Sequence, residues 1–102
     1  MNNYIYNILW LDNIISISID VKVDSKLSFP ITSYYYWPRE DGWEILKSDL
    51  ESKLWIDDID KTKILNTYKS IVEKWCTLKG LNELQQFISE NPNYILVSRN
   101  EI

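Results

Sequence analysis

The chain has 102 residues, a formal net charge of −4 at pH 7 and one cysteine, and it contains no histidine and no alanine. This length suits one domain over residues 1–102, and 45% hydrophobic with 25% charged residues is ordinary for a soluble globular protein. No apolar run approaches the roughly 20 residues of a membrane helix, and a lone cysteine excludes an internal disulfide. The start Met1-Asn2-Asn3 carries neither a basic stretch nor an apolar signal core.

The first two predicted elements are the strands of a β-hairpin, Tyr4–Leu11 and Ile14–Val23. The second segment alternates apolar with polar residues, which is the period of a strand with one buried face. If Asp12-Asn13 is a two-residue turn, facing residues have numbers that sum to 25, and both residues tolerate the positive φ of tight turns. One side of the hairpin then collects only apolar pairs, and a shift by one residue would mix the sides. These pairs are Trp10/Ile15, Ile8/Ile17, Tyr6/Ile19 and Tyr4/Val21.

A row of four aromatic residues, Tyr34 to Trp37, follows the hairpin and ends at Pro38. Proline biases the residue before it toward an extended conformation, so the row is expected to be extended and to stop there. Alternation then turns Tyr35 and Trp37 toward the core and leaves Tyr34 and Tyr36 outward. From composition alone, the row suits pure core as well as a surface shared between core and interface.

Two amphipathic helices are predicted next. The first opens in the segment Arg39-Glu40-Asp41-Gly42, whose acidic residues suit the helix dipole, and it runs through about Leu54. Its core stripe consists of Trp43, Leu46, Leu50 and Leu54. The second helix begins at a cap formed by Asp57 or Asp58 and ends at Gly80. Its apolar stripe comprises Ile64, Leu65, Tyr68, Ile71, Val72 and Trp75.

A short third helix and a last strand complete the predicted fold. The helix spans about Leu81 to Ser89 and stops at Asn91-Pro92, and Tyr94–Val97 has the composition of a strand. The residues of this helix that are expected to face inward are Leu84, Phe87 and Ile88. The fold class is therefore α+β: an N-terminal β-hairpin plus a C-terminal strand form a small antiparallel sheet packed against about three helices.

Nothing in the sequence argues for catalysis or for a cofactor. Without histidine, most Ser/His and Cys/His nucleophile arrangements are excluded, and two glycines cannot build a phosphate-binding loop. Asp57, Asp58 and Asp60 lack the glycine and distal glutamate of a calcium loop, so helix capping explains them better than a cation site does. Cys76 is expected to be an inert, partly buried thiol. The acidic balance argues against a protein that holds nucleic acid by charge alone.

The segment from Pro30 to Ile56, PITSYYYWPREDGWEILKSDLESKLWI, resembles the plastid-specific ribosomal protein three family of plastids and cyanobacteria. The family pattern runs Pro, Leu or Ile, Thr-Ser-Tyr, two aromatics, Trp-Pro-Arg, any residue, then Asp-Ala-Trp-Glu. Gly42 stands where the family usually has alanine, a departure that costs about 1 kcal/mol of helix propensity. The matching positions are Pro30, Thr32, Ser33, Tyr34, Trp37, Pro38, Arg39, Asp41, Trp43 and Glu44, with further similarity at Leu9-Trp10-Leu11, Leu50-Glu51-Ser52-Lys53 and Trp55-Ile56.

The resemblance implies a non-catalytic component of the small ribosomal subunit that binds ribosomal RNA and neighbouring ribosomal proteins. It implies no cofactor, no membrane and no small-molecule substrate. The expected location is the ribosome of the plastid (chloroplast) stroma, with the cyanobacterial cytoplasm as the alternative. Codon-biased usage and the lack of a transit peptide favour a plastid-encoded copy. An adaptor or regulatory factor that joins the ribosome only transiently is the competing function.

Few cations are available for phosphate contacts, so binding through shape and aromatic rings is expected, with local help from basic side chains. The aromatic row and the neighbouring basic positions are the candidates for this role. The residues expected to contact the RNA or a protein partner are Tyr34, Tyr36, Arg39, Lys22, Lys26 and Arg99.

Overall fold

A computed structural model of the chain describes residues 3–38, 40–78 and 81–99. The elements in these ranges are β1 (Asn3–Trp10), β2 (Ile15–Lys22), β3 (Ser28–Pro30), β4 (Tyr35–Trp37), α1 (Gly42–Ser52), α2 (Asp58–Thr77), α3 (Leu81–Ser89) and β5 (Tyr94–Arg99). The predicted α+β class is confirmed. Of the helices in these ranges, none combines the length and the apolar content of a membrane span.

The hairpin of β1 and β2 has the predicted register. In every pair the two residue numbers sum to 25, from Asn3 opposite Lys22 to Trp10 opposite Ile15. The backbone N–H of Leu11 donates to the carbonyl of Ile14 at 3.2 Å and closes the turn. The turn contains no residue with positive φ, so the tolerance of Asp and Asn for such angles is not used.

The apolar side of the hairpin is buried against α2, as the two apolar stripes predict. Fully buried isoleucines of this kind each contribute roughly 1.5–3 kcal/mol relative to an exposed position. The side chains exposed by 1% or less at this contact are Ile8, Ile15, Ile17, Ile19, Ile64, Tyr68 and Ile71. Trp75 is less buried, and its indole N–H donates to the Leu11 carbonyl at 2.8 Å. This bond fixes the last turns of α2 to the end of β1.

The direction of β5 corrects the predicted sheet. β5 pairs with β1 in parallel, with Tyr94 beside Tyr6 and a register shift between Ile8 and Leu9, so the sheet is mixed rather than antiparallel. The strand order is β3-β2-β1-β5, and β4 also pairs with β2. Parallel neighbours require a long crossover connection, and the three helices between β4 and β5 supply one.

Both long helices start at a capping aspartate, and the sequence analysis predicted the second of these caps but not the first. The side chain of Asp41 accepts a hydrogen bond from the Glu44 N–H at 3.2 Å at the start of α1. Of the two candidates for the second cap, Asp57 takes the role and accepts from the Asp60 N–H at 2.8 Å. Both caps satisfy one of the backbone donors that a helix start leaves unpaired.

The helix ends differ from the prediction in one respect. α1 stops at Ser52, so Leu54 lies beyond the helix and is 90% exposed instead of completing the core stripe. α2 stops at Thr77, and Gly80, the predicted end, lies outside the described residues. α3 has the predicted bounds, with Leu84 fully buried.

Gly42 opens α1 at a place that has no room for a side chain. A Cβ atom on this residue would collide with the hydroxyl of Tyr68 and would lie 2.6 Å from the carbonyl oxygen of Tyr36. Glycine therefore allows α1 to start directly against β4 and α2. This steric role outweighs the helix-propensity cost that the sequence alone attaches to Gly42.

We expect Gly42→Ala to lower the free energy of unfolding by about 1–3 kcal/mol, the usual cost of overpacking. Helix propensity alone would make the variant more stable by about 1 kcal/mol. Urea denaturation measures the difference, and Ser48→Ala, at an exposed position of α1, is the control without a new contact. Adding Tyr68→Phe should recover part of the loss, because it removes the hydroxyl that the methyl group meets. A Gly42→Ala protein more stable than the unmodified chain would contradict this packing.

Candidate functional site

The aromatic row consists of β4 and the residue before it, Tyr34. The pairs between β4 and β2 are Tyr35/Ile17, Tyr36/Ser16 and Trp37/Ile15. Because opposed residues share a face, Tyr35 and Trp37 lie on the helix-covered side of the sheet and Tyr36 on the other. Tyr34 precedes the strand and, like the rest of the row, is half-buried. The predicted alternation is confirmed for the three residues in the strand.

Tyr35 ties the row to both long helices. Its hydroxyl donates to Asp49 Oδ2 of α1 at 2.8 Å, and Lys53 Nζ pairs with Oδ1 of the same carboxylate at 2.9 Å. The carbonyl of Tyr35 accepts a longer bond of 3.4 Å from the Tyr68 hydroxyl of α2. Burial and the hydrogen bond to Asp49 raise the pKa of Tyr35 to about 12, so its hydroxyl stays a donor at neutral pH. The row is thus held firmly from the helix side.

The second side of the sheet, here termed the polar side, carries Asn7, Ser18, Asp20 and Tyr36. The amide nitrogen of Asn7 donates to Ser18 Oγ at 3.2 Å and to Asp20 Oδ2 at 3.1 Å. Asn7, Asp20 and Tyr36 are half-buried, whereas Ser18 is only 6% exposed. The polar side is therefore a hydrogen-bonding surface with the ring of Tyr36 at one end.

Lys22 and Lys26 lie at the other end of β2 from the aromatic row. Lys22 shares the polar side with Ser16, which pairs with Tyr36, but it lies six residues further along the strand. At about 3.3 Å per residue, this places Lys22 roughly 20 Å from the row. Lys26 is in the exposed turn that follows, where its N–H donates to Asp24 Oδ1 at 2.8 Å. The predicted contact residues therefore do not form one cluster.

Of the two predicted arginines, the structure describes the backbone of Arg99, at the end of the sheet that carries the row. Arg39 follows Pro38 and lies outside the described residues. The backbone of Arg99 pairs with Trp10, which pairs with Ile15, which pairs with Trp37. Three strand spacings of about 4.8 Å put the Arg99 backbone roughly 14 Å from that of Trp37.

Beside the row, on the helix side, lies a cleft of about 650 Å³ that the sequence did not predict. We term it the tryptophan cleft. Its lining consists of Trp37, Trp43, Tyr68 and Val72, with Asp41, Lys69, Glu73, Cys76 and Thr77. The sequence signal that could have pointed to it is the pair of tryptophans, Trp37 and Trp43, on either side of Gly42. In the structure both are half-buried, so neither fits wholly into the core.

Cys76 is exposed at this cleft, so the prediction of a partly buried thiol is wrong. Its neighbour Trp75 takes the position toward the sheet and bonds to Leu11. Successive helical residues point about 100° apart, and Cys76 therefore faces the cleft and the solvent.

The acidic residues at the start of α2 serve the fold. Asp57 is the cap, and Asp60, 3% exposed, accepts a hydrogen bond from the Tyr4 hydroxyl at 2.8 Å. This bond joins the first turn of α2 to β1. Among the described residues, no group of three or more His, Cys, Asp or Glu side chains is arranged to hold a metal ion.

Comparison with known proteins gives a consistent result. Residues 31–78 match the family described as plastid and cyanobacterial ribosomal protein (PSRP-3/Ycf65). The small ribosomal subunit protein cS23 of Gracilaria tenuistipitata var. liui is 37% identical over 100 residues, covering 98% of this chain and 100% of the relative. The small ribosomal subunit protein cS23 of Cyanidium caldarium is 41% identical over 90 residues, covering 83% of this chain and 88% of the relative. A probable small ribosomal subunit protein cS23 of Synechococcus sp. (strain JA-2-3B'a(2-13)) is 40% identical over 75 residues, covering 74% and 75%.

Proposed function

The chain belongs to the plastid and cyanobacterial ribosomal protein family (PSRP-3/Ycf65), and from this premise we propose that it is a structural constituent of the small ribosomal subunit. Ribosomal proteins of this family are non-enzymatic components of plastid or cyanobacterial ribosomes. The observation that carries the proposal is the similarity to the Gracilaria protein over the full length of both chains. Within this role the chain binds ribosomal RNA and neighbouring ribosomal proteins, in the ribosomes of the chloroplast stroma.

We propose that RNA contacts the polar side of the sheet at the end where the aromatic row lies. Tyr36 presents its ring on this side, Tyr34 stands just before it, and Arg39 follows two residues after Trp37. A base stacked on an aromatic ring contributes about 1–3 kcal/mol, and the planar fork of arginine matches a phosphate. Tyr35, bonded to Asp49, holds the row in position for such a contact.

Lys22 and Lys26 would contact a second stretch of RNA. Lys22 lies roughly 20 Å from Tyr36 along β2 and faces the same polar side, and Lys26 is in the turn that follows β2. Two small contacts suit a chain of net charge −4, because few phosphates can be neutralised and each contact alone is weak. The assembled particle, which engages all contacts together, then supplies the affinity.

The test is a double variant, Tyr36→Ala with Arg39→Ala, added to small subunits prepared without this protein. The variant should fold with nearly unchanged stability, because Tyr36 lies away from the core, and should be washed off at a salt concentration that leaves the unmodified chain bound. Quantitative mass spectrometry of the small-subunit peak after sedimentation measures the retained amount. Lys74→Ala, at an exposed position near the end of α2, is the control that removes one cation elsewhere. Retention of the double variant, or its unfolding, would place the interface elsewhere.

A further inference from the structure

We propose that the tryptophan cleft receives an arginine side chain from a basic segment of a neighbouring small-subunit protein. The inference rests on the proposed function and names the chemistry of a second partner. Trp37 lies on the opposite side of β4 from Tyr36, so the cleft and the proposed RNA contact face different directions. The aromatic row would thus bind two partners, one on each side of the strand.

The walls of the cleft suit a long side chain with an apolar stem. Trp37 of β4, Trp43 of α1, and Tyr68 and Val72 of α2 all line it. Indole faces attract cations, and the Trp43 ring already has Lys47 Nζ at 5.4 Å from its centroid. An arginine stem can cover apolar surface while its guanidinium group stacks on such rings.

The charges at the cleft favour a basic occupant over a phosphate. Asp41 and Glu73 line it against Lys69, and when Glu40 and Lys47 beside the cleft are added, acidic groups still outnumber basic ones. Burial, and then the negative charges of Asp41 and Glu40, raise the pKa of the Tyr68 hydroxyl to about 12. A guanidinium group can pair with the rim carboxylates in a bidentate manner, whereas an RNA phosphate would be repelled by them.

Cys76 provides a probe of this cleft because it is the single cysteine of the chain, is exposed and lines the cleft. N-ethylmaleimide should modify Cys76 rapidly in the free protein and at least about tenfold more slowly in salt-washed small subunits. Labelling in urea gives the rate for the fully accessible thiol. Equal rates in the free and the bound protein would overturn the inference, since the cleft would then be open in the particle.

A photo-crosslinker identifies the occupant. p-Benzoylphenylalanine in place of Thr77, an exposed lining residue, is irradiated in the assembled small subunit, and the adducts are treated with ribonuclease. The inference predicts an adduct to a peptide that contains arginine and survives ribonuclease. An RNA adduct, an adduct to a peptide without basic residues or no adduct would overturn it. In each of these outcomes the protein still sediments with the small subunit, whereas failure to sediment would refute the proposed function itself.

Discussion

Ile17→Asp is expected to leave the domain unfolded at 25 °C. Ile17 is completely buried between Ile8 of β1 and Tyr35 of β4, on the side of the sheet that packs against α2. An aspartate at this position loses the apolar contact and places a carboxylate in the core without a partner. Breaking a buried ion pair already costs about 3–5 kcal/mol, and a domain of this size has only about 5–15 kcal/mol in total.

Circular dichroism during heating measures the outcome. The matched control is Leu9→Asp, because Leu9 lies on the polar side of the neighbouring strand, opposite Ser16, and is only half-buried. This control should remain folded, with a lowered melting temperature. An Ile17→Asp protein that melts cooperatively would show that the assignment of the two sides of the hairpin is wrong.

Trp37→Ala is expected to cost about 3 kcal/mol, near the low end for truncation of a large aromatic residue, because Trp37 is half-buried rather than enclosed. It packs against the core beside Ile15 and forms one wall of the tryptophan cleft. Tyr36→Ala, one residue away on the polar side, should cost much less. Urea denaturation of the two variants at equal concentration provides the comparison.

Equal losses of unfolding free energy in the two variants would contradict the assignment of Trp37 to the core side and Tyr36 to the polar side. They would mean that Tyr36 and Trp37 serve the core equally, and the proposed RNA contact would lose its main aromatic residue. A larger loss for Tyr36→Ala would reverse the assignment of the two sides of β4.

The hairpin could be predicted because the alternation of apolar and polar residues along both strands supports the same register. Strict alternation from Ile15 to Val21, together with the matching positions of Tyr4 to Trp10, leaves one register that keeps the apolar side intact. The cap at the start of α2 could also be predicted, since the Asp57 carboxylate accepts from a backbone N–H three residues ahead and needs no distant partner.

The parallel direction of β5 and the exposure of Leu54 could not be predicted, because neither is decided by the local sequence. A short apolar strand carries no mark of whether its neighbour runs parallel or antiparallel, and the choice follows from the path of the three helices. Leu54 has the spacing of the α1 stripe, but the helix stops at Ser52, where the Lys53 N–H bonds to the Leu50 carbonyl.

The candidate site was predicted in part. Pro38 and the period of a strand gave the inward positions of Tyr35 and Trp37. The separation of Lys22 from the row depends on which end of β2 pairs with β4, and the sequence does not contain that register. The tryptophan cleft arises where β4, α1 and α2 meet, so only the tertiary structure shows it.

The copy number of the chain in purified small subunits tests the central claim most directly. Plastid ribosomes would be dissociated, washed at moderate salt and sedimented, and the small-subunit peak quantified by mass spectrometry against isotope-labelled peptides. A structural constituent should be present at about one copy per particle, in constant ratio to other small-subunit proteins. Loss in the salt wash, or an amount far below one copy, would contradict the claim and indicate a factor that joins the ribosome only transiently.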